Sequence, residues 1–315
     1  KANTTGTENT AVGSGALIAN TTGFNNSAFG RCAMISNTEG DKNTSIGMST
    51  LRCNLTGCSN TAVGYTALLK NTASNNTAVG ESALICNTTG TNGVAVGCGA
   101  LKTNVSGGCN VAVGRISLQD NTTGANNVAI GASASQSNTT GGENTALGKS
   151  TLTSNTTGCK NVAIGSGALL SNSTANDNIA IGFQSLEQNT TGTSNVAVGC
   201  GALESNTTAS DNVAMGKRAL GGTTTGCRNT AVGRTAMNSN STGDTNTAIG
   251  YSALYANTTA DNNTAVGSQA LEANTTGSQN TAIGKNALIA NTTAGSNTAI
   301  GHDALKATTT GGQNN

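Results

Sequence analysis

The chain has 315 residues and a formal net charge of +1, with 9% charged and 2% aromatic residues, 43 glycines and no proline or tryptophan. Its Lys and Arg are scattered, with no basic stripe and no interleaved aromatics, so the electrostatic footprint of a nucleic-acid binder is missing. No apolar run approaches the length of a bilayer span and no signal-peptide pattern is present, so no membrane insertion is expected of this segment.

Composition alone would suit a disordered, low-complexity tract. A strict repeat argues against that. Asn60-Thr61-Ala62-Val63-Gly64 recurs from Gly13 to Gly301 in 18 copies spaced 17 residues apart, one residue being missing between Gly64 and Gly80. Such a period marks a solenoid whose stacked coils share one core, so the expected fold is all-β, a β-solenoid (β-roll or β-helix) over a single array, residues 1–315. Neither end carries a divergent cap, and the segment is expected to belong to a longer fibre. At an inter-strand spacing of about 4.8 Å, 18 coils would make a rod of roughly 85 Å.

Numbering the opening Asn as position 1, position 4 is apolar in every copy, from Val12 to Ile300, and position 2 is Thr, Val, Ile or Ser. These two alternate on a short strand and are expected to fill the coil. Position 3 is Ala everywhere except Ser45 and falls on the opposite face. Such strictness implies close packing against a neighbouring chain, or crowding by the chain's own turn. The invariant Gly at position 5 implies positive φ or a tight corner. Asn at position 1, replaced only by Gly93, points to a left-handed turn, with a stacked Asn ladder as an added reading.

The second half of the unit reads as in Ser268 to Gln279, with a small residue at position 8 and Leu or Met at position 9, Ser135 excepted. Position 9 is expected to face position 4 across the core. The segment suits one helical turn or a second short strand, and periodicity over five or six residues does not choose between them. Asn274-Thr275-Thr276-Gly277 and its equivalents read as a turn. Position 6 varies most (Arg31, Tyr65, Phe183, His302), as a solvent-facing display site would.

No catalytic constellation is visible: no catalytic, cofactor-binding or metal-ligating residues are assigned, no cofactor is expected and the chain is not read as an enzyme. The nine Cys lack paired Cys-x-x-Cys motifs and form no ladder in adjacent coils; Cys53 and Cys58, flanking one turn, are the only pair considered for a disulfide. His302 is the single histidine and reads as a solvated surface residue. Asn-x-Ser/Thr sequons recur at position 12 (Asn20, Asn87, Asn121, Asn274), where a eukaryotic secretory route could add glycans, although Asn-Thr-Thr-Gly is also ordinary turn chemistry. Thr pairs at positions 13 and 14 raise ice binding, but they are consecutive rather than alternating.

Asn-Val-Ala-Ile-Gly at 127–131 and 161–165 resembles the head repeats of trimeric autotransporter adhesins. The longer Asn-Thr-Ala-Val-Gly-Tyr-x-Ala-Leu-x-x-Asn-Thr unit at 60–72 is similar to repeats of phage and large-virus tail fibres. The likeness covers the whole chain, though only its low-complexity framework. It implies a trimer of parallel β-rolls projecting from a cell or virion surface, with a host-surface or glycan ligand. The expected function is therefore a structural fibre or adhesin segment used for attachment or display, with a self-assembling filament as the alternative and an ice-binding solenoid as the third.

Overall fold

A computed structural model of the chain describes residues 3–314. The fold is all-β: a β-solenoid with 18 parallel strands of three residues each, one per repeat, from Thr10–Val12 to Thr298–Ile300. The chain packs as two compact units, Lys1–Cys159 and Lys160–Asn315. In the first, the nine strands from Thr10–Val12 to Thr145–Leu147 pair in chain order and in register, Ala112 beside Ala129, for example. In the second, the nine strands from Val162–Ile164 to Thr298–Ile300 do the same, with Ala197 beside Ala214. The missing residue between Gly64 and Gly80 is absorbed in the turn, since Thr61 still pairs with Thr77.

The Ala-Leu segment is neither a helical turn nor a second strand; among the described residues there is no helix. It is a run of tight turns. Ala33 N–H donates to Gly30 C=O (3.3 Å) and Asn37 N–H to Met34 C=O (3.1 Å). Positions 7 and 9 are left-handed, as at Cys32 (φ 58°) and Met34 (φ 50°), which places positive φ at the third residue of the first turn, as a type II turn requires. These turns still ladder between coils: Met34 N–H bonds Thr50 C=O (3.0 Å) and Thr21 N–H bonds Thr38 C=O (2.9 Å). Left-handed backbone at a Leu costs about 1–2 kcal/mol. It persists here because each coil templates the next.

The strand faces are the reverse of the expectation from the sequence. Position 3 points inward: Ala28, Ala62, Ala129 and Ala214 are completely buried. They pack with the buried Ala of position 8 and the buried Leu or Met of position 9, such as Ala134 and Leu118. Positions 2 and 4 point outward; Phe29, Ile130, Met215 and Ile249 are exposed. Position 9 therefore faces the Ala row rather than position 4. Interiors pack at crystal-like density, and a coil of 17 residues encloses so little width that a methyl is what fits opposite Leu.

The glycine expectation holds in its stronger form. Position 5 has φ between +117° (Gly165) and +138° (Gly30). A Cβ on Gly13 would also lie 2.6 Å from the carbonyl oxygen of Gly30 in the next coil. Position 1 is different: its Asn residues do not have positive φ, and the left-handed residue is the one before, at position 17, such as Asn25 (φ 56°). Asn is required at position 1 for its amide.

Candidate functional site: the outer strand face

The interior is completed by two rows of buried Asn, which leaves the outer strand face as the unsatisfied surface. In the first row, at position 1, Asn43 Nδ2 donates to Asn26 Oδ1 (3.2 Å) and to Gly57 C=O (2.9 Å), while Asn43 N–H donates to the same Asn26 Oδ1 (3.0 Å). In the second, at position 12, Asn121 Nδ2 donates to Asn104 Oδ1 (2.8 Å) and to Gly124 C=O (2.9 Å). Both rows converge on position 15, where Gly124 C=O also accepts from Asn110 Nδ2 (2.8 Å). Buried amides are costly unless every donor and acceptor is matched, and stacking matches them by translation.

The second row was not foreseen in the sequence, where Asn-Thr-Thr-Gly reads as a turn on any account. It corrects the sequon reading. Asn87, Asn121, Asn189 and Asn274 are fully buried with Nδ2 already donating, so the folded chain offers no acceptor amide there. Thr at position 13 is outside, its hydroxyl donating to the carbonyl one coil on, as Thr21 does to Thr38 (3.0 Å).

Coils that break the pattern show how strictly it is enforced. Where Ser45 replaces the inner Ala, position 8 becomes Thr50, and the two buried hydroxyls lie 2.5 Å apart, with Thr50 Oγ1 donating to Gly47 C=O (3.0 Å). Other hydroxyls at position 8 do likewise, Ser117 to Gly114 C=O (3.0 Å) and Thr151 to Gly148 C=O (2.9 Å).

None of the nine cysteines is in a disulfide, so the considered Cys53–Cys58 bridge is not formed. Cys58, Cys159 and Cys227 share position 16, where the thiol accepts the N–H of the preceding coil: Asp41 to Cys58 Sγ at 3.4 Å, Ser210 to Cys227 Sγ at 3.3 Å. Asp and Ser serve the same purpose, as when Asp244 Oδ1 accepts from Cys227 N–H (2.6 Å). Among the described residues no three His, Cys, Asp or Glu gather as metal ligands. His302 is exposed beside Asp303 (3.5 Å). The Asp303 carboxyl lies below its ordinary range, chiefly through the Asn286 hydrogen bond (2.8 Å), helped by Lys306 and His302.

What remains is the row of outer side chains. In each unit positions 2 and 4 form an in-register array of Thr, Val, Ile or Ser beside Val, Ile, Leu, Phe or Met, with no charged residue in any copy. At position 4, Met215 is 45% exposed and Phe29 41%. Among the described residues the position-2 hydroxyls, such as those of Thr44 and Thr61, are engaged by no side-chain hydrogen bond. Monomeric proteins rarely leave contiguous apolar patches beyond a few hundred Å² open to water. No protein-family model matches the chain, and no curated protein matches it.

Proposed function

We propose that this chain is a non-enzymatic structural segment of an extracellular or virion-surface fibre, a β-solenoid that associates with copies of itself as a homotrimer and holds a binding tip away from that surface. The observation that carries the reading is the uncharged outer strand face, an apolar row at position 4 beside one that is mainly Thr or Val, on coils whose interiors are filled by Ala, Leu and Asn. The variable corner at position 6, with Tyr65, Phe183 and Tyr251 exposed, is the place where a host-surface or glycan ligand would be met. Sedimentation equilibrium of the purified chain tests the reading: a trimer supports it and a monomer at all concentrations contradicts it, while end-to-end polymers in electron micrographs would favour a filament.

A second reading draws on the same face. Outward Thr hydroxyls, repeated at strand spacing beside methyl-bearing neighbours, form the regular, uncharged array that an ice lattice could meet. Thermal hysteresis of the dilute chain tests it, and none measured removes it.

A further inference from the structure

We infer that the outer strand face is the contact surface between copies of this chain, and that the copies run parallel and in register, the basic border of one face meeting the acidic border of the next. The inference rests on the association proposed above and specifies the surface and orientation that produce it.

Size comes first. Nine coils per unit, each exposing roughly 90 Å² at positions 2 and 4, present about 800 Å², close to what each partner contributes to a standard specific interface. The surface is apolar at its centre and bounded by charge, the layout of an interface core within a polar rim.

The borders supply orientation. Position 6 lies two residues past position 4, where each strand ends, and position 17 lies two residues before position 2, where it begins, next to position 16. In the first unit position 6 carries Arg31, Arg115 and Lys149 against one acid, Glu81. The opposite border carries Glu8, Asp41 and Glu143 against one base, Lys42. In the second unit position 6 carries Lys217, Arg234 and Lys285 with no acid. Its opposite border has Asp177, Asp211, Asp244 and Asp261 against Lys160 and Arg228, the latter already 3.5 Å from Asp244. Each face is thus basic where its strands end and acidic where they begin.

Rotation about any axis parallel to the stacking direction, two-fold or three-fold, brings the strand-end border of one copy to the strand-start border of the next. A two-fold axis across the stack pairs like borders instead and sets Lys and Arg against Lys and Arg. Charge therefore selects parallel copies. Register follows from the strands charged at both ends: Glu143 and Lys149 flank Thr145–Leu147, and Asp211 and Lys217 flank Val213–Met215, while in the one strand flanked by like charges, Thr230–Val232 between Arg228 and Arg234, Arg228 is already engaged by Asp244 (3.5 Å). In register, Lys149 meets Glu143 of a second copy and Lys217 meets Asp211 of a second copy.

Sedimentation velocity on four chains tests this. Ile130→Glu/Met215→Glu/Ile249→Glu places charges on exposed side chains in non-adjacent coils, so the fold survives; it should sediment as a monomer with wild-type circular dichroism. Lys149→Glu/Lys217→Glu should weaken association about tenfold or more, since it turns the attractive rim pairs with Glu143 and Asp211 into like-charge pairs. Adding Glu143→Lys/Asp211→Lys to that chain swaps the borders and should restore wild-type association, which antiparallel copies would not do. An oligomer that survives the triple substitution overturns the assigned surface while leaving self-association standing. Failure of the swap to restore it overturns the parallel arrangement. A wild-type chain that is monomeric at every concentration, with or without thermal hysteresis, overturns both the surface and the association.

Discussion

Asn121 makes three ladder contacts: it donates to Asn104 Oδ1 and Gly124 C=O and accepts from Asn138 Nδ2 (2.8 Å). Asn121→Ala strands Asn104 Oδ1 and the Asn138 amide in the interior and should cost about 2–4 kcal/mol, read as a lower denaturant midpoint. Two of the natural gaps in the rows allow the opposite experiment. At Gly93 the position-1 row is interrupted, so Asn110 N–H lacks the side-chain acceptor of its counterparts, and Gly107 C=O accepts from Asn104 alone (3.0 Å). At Thr223 the position-12 row is interrupted, leaving Thr223 Oγ1 and Asn206 Oδ1 without partners. Gly93→Asn and Thr223→Asn should each stabilise by about 1–2 kcal/mol in thermal or denaturant unfolding. At Gly93 the new Cβ meets Asn76 Oδ1 at 3.1 Å and needs only a small adjustment. Both gaps stand out in the sequence as exceptions to a rule, but the rule's meaning does not. An Asn in Asn-Thr-Thr-Gly serves a turn and a buried ladder equally well, and only the neighbouring coil distinguishes them.

At the scale of the coil, the strand and its glycine corner were legible because period-2 alternation and an invariant Gly each have one backbone explanation. Which strand face is inside was not legible. Alternation defines two faces without ranking them, and the usual ranking by hydrophobicity assigns Val and Ile to the core. Here the width of the coil decides, and the smaller row goes inside. The missing residue after Thr72 shows what coil length controls: Asn71 Nδ2 bonds Ala73 C=O (2.7 Å), and Asn54 Oδ1 is left unpartnered. Inserting one Thr between Thr72 and Ala73 should restore the Asn54–Asn71 contact and raise the unfolding temperature. The pH response follows from the same chemistry. The buried polar groups are amides and hydroxyls, which do not titrate. Asp303, whose folded pKa is lowered, contributes stability above the ordinary carboxylate range and loses it as pH falls through that lowered value. The terminal coil containing Asp303 should therefore be the one that loosens in acid, measurable by hydrogen exchange at low pH.

At the scale of the molecule, Asn ladders and Ala–Leu packing hold each coil to the next, and in the proposed association the outer Val and Ile rows would hold one copy to another. Neighbouring substitutions on a single strand separate these two kinds of contact, because Ala129 faces inward and Ile130 outward. The deciding measurement is sedimentation equilibrium with parallel denaturant unfolding on Ala129→Leu and Ile130→Glu. Ala129→Leu should overpack the coil, cost about 1–3 kcal/mol of stability and spare association in the folded chain, while Ile130→Glu should leave stability nearly unchanged and weaken association. The reverse result, Ala129→Leu splitting the oligomer with the fold intact and Ile130→Glu unfolding the coil, would contradict this assignment.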